Sequence, residues 1–335
     1  MAKPAPPAIN DALRTEIAAM LLDGVPAATV TNRIASRGIS GALAAAEVAR
    51  AEKSPYLAGA WQLRARLAKR DWVLANTARL QRLAGAEAPR VDSIAPDRFF
   101  ADYYAANRPV LLTGLVDHWP ARRWSFAGMA AALGAVAVDV QANREANRNY
   151  EIAQEKHTSR QPLAEIIARI TDGGPSNDFY VTAFNSAHNK QALAPLWGDV
   201  GDIPGLLARQ EARDGFFWMG PQGTITPFHH DLTNNLLVQL VGEKRVKLVA
   251  AAELPRMKNH LHCFSQWQGD ELSEGNGDAA RPPVSEVILR PGDALFLPVG
   301  WWHHVEGLSP HIGMSFINFA RDNDFYSHYA SNGPL

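Results

Sequence analysis

Two short segments, far apart in the chain, hold the residues best suited to chemistry. Thr226-Pro-Phe-His229-His230-Asp231 contains an H-x-D triplet, and Pro298-Val-Gly-Trp301-Trp302-His303-His304 brings a late histidine. Two imidazoles and one carboxylate are the ligand set of a facial triad. Such a triad holds a non-haem Fe(II) on one face and leaves the opposite positions open for substrates and O2. His229 and Asp231 stand two apart at a strand end, so both side chains project to the same side. His230 then points to the other side. The third ligand must come from another strand, and His303 is the best-placed histidine, with His304 alternating to the opposite face.

The elements that position these residues follow from periodicity. From Gly215 onward the chain reads as eight strands: 215–219, 224–229, 234–241, 244–250, 284–290, 293–297, 302–307 and 312–319. Gly242-Glu243 reads as a tight hairpin connection and Pro291-Gly292-Asp293 as a turn. Short strands separated by turns indicate a sandwich or small barrel, and helices ahead of them indicate helical decoration on a β core. Pro96–Ala105 reads as a short helix, Pro109–Leu112 as a strand, Ser125–Gly134 as a capped helix and 135–141 as a strand. The loop Asn259-His260-Leu-His262-Cys263 lacks the paired spacing of a structural zinc site.

The front of the chain has a different grammar. Residues 1–10 are Pro/Ala-rich and expected to be disordered. Residues 11–84 read as a helical module. Leu13, Ile17 and Leu21 recur at helical spacing, as do Val30 and Ile34 after a break at Gly24-Val25-Pro26. A third helix starts near Ser40. A long fourth one has Ser54 as N-cap, Pro55 in its first turn and a stripe of Leu63, Leu67 and Leu74. Residues 85–92 read as the linker to a domain over 93–322, and 323–335 as a tail. The first two helices and their glycine turn resemble a helix-turn-helix only in outline, so nucleic acid is not expected as a direct target.

Composition bounds the classes. Hydrophobic content of 47% suits a globular core. No apolar run is long enough to span a bilayer, and the opening MAKPAPPAIN lacks the apolar core of a signal peptide. The single cysteine, Cys263, excludes an internal disulfide framework and fits a reducing, cytoplasmic location. Residues 1–90 carry 13 Lys+Arg against 7 Asp+Glu, a balance of +6, and the remainder of the chain carries 20 against 27, or −7. The basic front is a solvated face or a surface for an acidic partner.

Residues 226–250, TPFHHDLTNNLLVQLVGEKRVKLVA, and 289–319, LRPGDALFLPVGWWHHVEGLSPHIGMSFINF, resemble the two half-sites of JmjC-type, cupin-like 2-oxoglutarate oxygenases. The nearest resemblance is to the asparaginyl hydroxylase group typified by factor inhibiting HIF. Ser93–Trp124, with RPVLLTGLVDHWPARRWS, is similar to the entry segment of that family. The resemblance covers about 91–320 and implies a double-stranded β-helix, or jelly roll, preceded by the helical module. It implies Fe(II) on His229, Asp231 and His303, with 2-oxoglutarate and O2 as cosubstrates. Lys244, helped by the Thr226 hydroxyl, would pair with the distal carboxylate of 2-oxoglutarate, and Tyr180 would offer a phenol to the same group. Asn235 and Asn318 would sit beside the cosubstrate and the metal. The aromatic residue that the family carries after the late asparagine is replaced here by Ala320. Lys244 also suits its role on physical grounds, because a dicarboxylate buried in an apolar barrel requires a cation at its far end.

The resemblance implies hydroxylation of a protein or peptide side chain. An N-methyl demethylase with the same cofactors is the first alternative. A non-catalytic cupin-like binding protein, or a scaffold acting through residues 1–90, is the second. With few residues after the last strand, any homodimer is expected to use the N-terminal helices.

Overall fold

The computed structural model describes residues 8–85, 87–147, 149–182, 186–208, 215–273, 280–327 and 329. Residues 1–7 of the expected disordered start, and 328 and 330–335 of the expected tail, lie outside them. The chain divides into two compact units, one reaching to Thr77 and the second beginning at Ala78. No helix among the described residues is long and apolar enough to cross a membrane.

The first unit is helical. It contains α1 (Asp11–Leu22), α2 (Ala27–Ala35), α3 (Gly41–Glu52) and most of α4 (Pro55–Leu83). Asn10 Oδ1 accepts from Leu13 N at 3.0 Å and Ser40 Oγ from Leu43 N at 3.2 Å, so two of the helices start on side-chain caps. Ile17, Leu21, Val30, Ile34 and Val48 form its core. The stripe expected on α4 is not a core face: Leu63 is 57% exposed and Trp72, on the same helix, 69%.

The second unit holds α5 (Pro96–Phe99), α6 (Phe126–Leu133), α7 (Leu163–Asp172) and α8 (Ser186–Ala192). Its strands are β1 (Arg90–Asp92), β2 (Val110–Thr113), β3 (Ala137–Ala142), β4 (Thr158–Pro162) and β5 (Phe179–Tyr180). They continue as β6 (Phe216–Gly220), β7 (Ile225–His230), β8 (Asn235–Val241), β9 (Lys244–Val249), β10 (Asn259–Leu261) and β11 (Phe264–Ser265). The last four are β12 (Ser285–Leu289), β13 (Ala294–Leu297), β14 (Trp302–Gly307) and β15 (His311–Phe316).

One sheet has the order β1-β2-β13-β8-β15-β6 and the facing one β10-β11-β7-β14-β9-β12. From β6 to β9, and again from β12 to β15, each strand lies in the opposite sheet from the one before it. Pairing is antiparallel throughout except between β1 and β2. This alternation is the winding of a double-stranded β-helix. The core between its sheets is apolar, with Leu111, Leu295 and Leu297 of one sheet buried with Val246 and Leu248 of the other, while Leu236, Val238, Phe296 and Met314 form a second cluster with Phe99, Val116 and Trp119.

Three local readings are corrected. Gly242-Glu243 is not a hairpin. It is a corner at which the chain leaves β8 in one sheet for β9 in the other. Gly242 takes φ +69°, and a Cβ there would lie 2.0 Å from the Pro310 carbonyl oxygen, so only glycine fits. Arg90–Asp92, inside the expected linker, pairs with β2 as a strand. The loop at 259–263 is largely a small hairpin of β10 and β11, whose Phe264 pairs with His229.

Candidate metal centre

His229 is the last but one residue of β7 and His303 the second of β14, and the two are direct cross-strand partners. Their rings lie 4.1 Å apart between centroids. Asp231 follows β7 by one residue. Its Oδ1 stands 3.7 Å from His229 Nε2 and its Oδ2 3.9 Å from His303 Nε2. One ligand atom from each of the three falls within 4.8 Å of the others, the only such cluster among the described residues.

Both imidazoles are held the same way. His229 Nδ1 donates to the Pro227 carbonyl at 2.9 Å and His303 Nδ1 to the Trp301 carbonyl at 3.0 Å. A carbonyl only accepts, so each Nδ1 carries a proton and each Nε2 is the nitrogen turned toward Asp231. Burial, then the neighbouring His229, brings the His303 pKa down to about 4, so the ring is neutral and ready to ligate at neutral pH. Burial opposes ionisation of Asp231, but His303, His229 and the Asn235 amide together hold its pKa below the usual carboxylate range. Asn235 Nδ2 donates to Asp231 Oδ2 at 3.0 Å, while its own buried Oδ1 has no protein partner among the described residues.

The triad opens into a cavity of about 290 Å³ lined by Tyr180, Thr226, Lys244, Leu237, Val238 and Met314, among others. Lys244 Nζ is buried and donates to the Tyr180 hydroxyl at 3.1 Å. No carboxylate pairs with it among the described residues, and burial lowers its pKa to about 7. Trp218 and Gln239 also line this cavity, whereas Trp301 and Trp302 are packed in the core.

His230 and His304 sit apart from the cluster. His230 packs edge-on to Trp302 at 4.7 Å and faces the Tyr329 hydroxyl. His304 packs against Phe228, and burial, then Lys247, brings its pKa down to about 3. Asn318 does not line the cavity. β15 ends at Phe316, the chain then pairs with the segment at Leu207, and the Asn318 amide is taken up by the Ala208 carbonyl at 3.0 Å.

Two buried groups were not anticipated. His311 opens β15 with Nδ1 on the Ser309 carbonyl and Nε2 3.3 Å from the Tyr180 hydroxyl. Alternation back from Gly313 and Ser315, which also line the cavity, marks it as inward-facing. Arg144, wholly buried, stacks over Tyr150 at 4.2 Å and Tyr180 at 5.3 Å, and donates to the Ile225 carbonyl at 2.6 Å. It props both the phenol and the strand that carries Thr226. It lies in an irregular segment with no periodic signal.

Residues 96–324 match the family model described as a cupin-like domain. The chain belongs to the cupin-like family. Lysine-specific demethylase 8 of Xenopus tropicalis is 26% identical over 238 residues, which are 68% of this chain and 52% of that protein. Lysine-specific demethylase JMJ30 of Arabidopsis thaliana is 30% identical over 235 residues, 65% of this chain and 51% of that one. tRNA wybutosine-synthesizing protein 5 of Gallus gallus is 21% identical over 238 residues, 65% of this chain and 73% of that one. The chain spans about half the length of the two demethylase-named relatives. The His-Asp-His cluster and these relationships fit a centre that takes Fe(II), 2-oxoglutarate and O2.

The residues present fit that set. Three ligands converge from one side, as a facial triad requires. The Lys244 ammonium, which has no carboxylate partner among the described residues, suits one, and the buried Asn235 Oδ1 has no protein partner among them.

Proposed function

We propose that this cupin-like chain is an Fe(II)- and 2-oxoglutarate-dependent oxygenase that hydroxylates a protein or peptide side chain. The observation that carries this reading is a single cavity with the His229–Asp231–His303 cluster and, on another part of its wall, a buried cation without a counter-charge. When bound, iron and 2-oxoglutarate supply activation of O2, with decarboxylation to succinate and insertion of one oxygen into a substrate C–H bond. The chain's own residues do the rest. His229, Asp231 and His303 would hold the metal. Lys244 and Thr226 would take the distal carboxylate, with Tyr180 bracing the lysine. Leu237, Val238 and Met314 keep water from the reacting end. Asn235 fixes the Asp231 carboxylate.

Asp231 is the only carboxylate lining the cavity among the described residues. A methylammonium substrate would therefore be desolvated there without a counter-charge, which favours a neutral side chain and accords with the likeness to the asparaginyl hydroxylase group. The demethylase names of two relatives favour the second reading, N-demethylation with the same cofactors. Incubation with Fe(II), ascorbate and 2-oxoglutarate should yield succinate and a one-oxygen mass gain on a partner co-purified with active, but not Asp231→Ala, protein. Formaldehyde from methylated peptides, without a retained oxygen, would instead establish demethylation. No succinate with any peptide or lysate fraction, and no iron binding, would sink both, leaving the non-catalytic binding protein. A reducing cytoplasm would keep the iron ferrous.

The helical module suits a homodimer, since α4 carries Leu63 and Trp72 exposed on an otherwise basic surface. Light scattering should give a two-chain mass for the wild type and a one-chain mass for Leu63→Glu/Leu67→Glu; a monomeric wild type overturns this assignment.

A further inference from the structure

Asp231 and His303 are brought together by two turns, the first carrying Asp231 itself and the second leading into β14. One is Asp231-Leu-Thr-Asn234, between β7 and β8. The other is Pro298-Val-Gly300, between β13 and β14. Two hydrogen bonds join them directly: Gly300 N donates to the Asp231 carbonyl at 3.1 Å, and Val299 N donates to Asn234 Oδ1 at 2.8 Å. Asn234 is 2% exposed, so its amide is committed to this bridge.

A third segment closes on the same point. Asn323, after the last strand, accepts from Asn234 N on its Oδ1 at 2.9 Å and donates through Nδ2 to the Asn234 carbonyl at 2.9 Å. The same Nδ2 reaches the Ile317 carbonyl at 2.7 Å. From the outer side, the Tyr104 hydroxyl donates to the Asp322 carbonyl at 2.7 Å and lies 3.2 Å from Asn323 Oδ1. One asparagine amide thus satisfies both backbone groups of another, and that second amide holds the turn leading into His303.

We propose that Asn323 and Asn234 form a latch that sets the geometry of the metal centre, making Asn323 a positioning residue for Asp231 and His303 supplied by the C-terminal segment. The inference rests on the reading of the His229–Asp231–His303 cluster as a metal site. Physically, Asp231 lies on an irregular turn, where backbone freedom is largest, three residues before Asn234. Pinning Asn234 N and O removes that freedom, and the Val299 bond passes the constraint to the second half-site. Groups bonded directly to metal ligands change metal affinity by ~10- to 100-fold when removed; this latch acts one step further out, through the backbone, so the lower end of that range is expected.

Co(II) provides a readout independent of turnover, because its visible absorption reports ligand geometry. Titration of full-length protein with Co(II) should show the Asn323→Ala affinity falling ~10-fold, with a shifted spectrum at saturation. Asn234→Ala, which keeps its backbone bonds to Asn323 but loses the Val299 bridge, should move both in the same direction. Asn323→Asp, which retains the two acceptor contacts and loses the two donated ones, should fall between. Ser327→Ala, whose hydroxyl among the described residues bonds only Asp324 of the same tail, should match the wild type. A merely structural role would lower the melting temperature of metal-free Asn323→Ala protein while leaving the Co(II) spectrum and affinity unchanged; that result overturns the latch. If wild type binds no Co(II), or Asp231→Ala binds it as well as wild type, the reading of the centre itself falls.

Discussion

His229→Ala is expected to raise the dissociation constant for Mn(II) or Fe(II) on the order of a hundredfold or more, while His230→Ala leaves it within about threefold. The two residues are adjacent and chemically identical, so composition cannot separate them. The pleat of β7 does. His229 faces His303 across the strand pair with Nε2 free, and His230 faces Trp302 and the Tyr329 hydroxyl. Truncating His229 removes one of three ligands and leaves a cavity edge open. Truncating His230 removes a buried ring from an aromatic cluster, so its expected cost is in stability: about 1–3 kcal/mol, read as a lower melting temperature with the metal still bound. Equilibrium dialysis and thermal melts on both variants check this. Comparable metal loss in the two would mean that the strand register, and with it the triad, is wrong.

Much of this site was legible in residue patterns. Period-2 alternation marks the strands around His229, Lys244 and His303 almost to the residue, because each is buried on at least one face and bounded by Gly or Pro turns. What alternation cannot carry is which sheet a strand joins. Gly242-Glu243 has the local chemistry of a hairpin, yet the same positive-φ glycine also makes a corner, and the difference is decided by the distant Pro310 carbonyl. β4 was hidden for another reason: TSRQP is a polar edge strand whose partner, not its own side chains, makes it a strand. α7 was open to a closer reading, since Leu163, Ile166, Ile167 and Ile170 fall at i, i+3, i+4 and i+7. The leucine stripe of α4 has helical spacing too, but spacing does not say whether anything covers it. Asn318 and Asn323 show the limit most clearly. Both are late asparagines after β15; the first turns to Ala208, and the second makes the bonds that hold the Asp231 turn.

Lys244→Met is expected to weaken 2-oxoglutarate binding to Mn(II)-loaded protein by about 3 kcal/mol, on the order of a hundredfold, with metal affinity unchanged. The cost arises because the distal carboxylate would be buried facing a thioether and the Tyr180 phenol instead of an ammonium. A pH dependence follows from the same burial. In the empty cavity desolvation lowers the Lys244 pKa to about 7, far below the 10.5 of an exposed lysine. A carboxylate beside it favours the charged form, so the pKa of the complex is higher than that of the free protein. Below pH 7 the ammonium is already present and binding takes up no proton there. Above pH 7 each binding event must capture one, and affinity should fall about tenfold per pH unit until the pKa of the complex is reached. For folding the sign is opposite: the unfolded chain keeps this proton up to about 10.5, so between 7 and 10.5 this one group makes the empty protein more stable as pH rises. Calorimetric titration with 2-oxoglutarate at pH 6.5, 7.5 and 8.5, in two buffers of different ionisation heat, should show uptake rising toward one proton. Affinity that stays flat across that range, or Lys244→Met protein that binds as tightly as wild type, would remove Lys244 from the cosubstrate site.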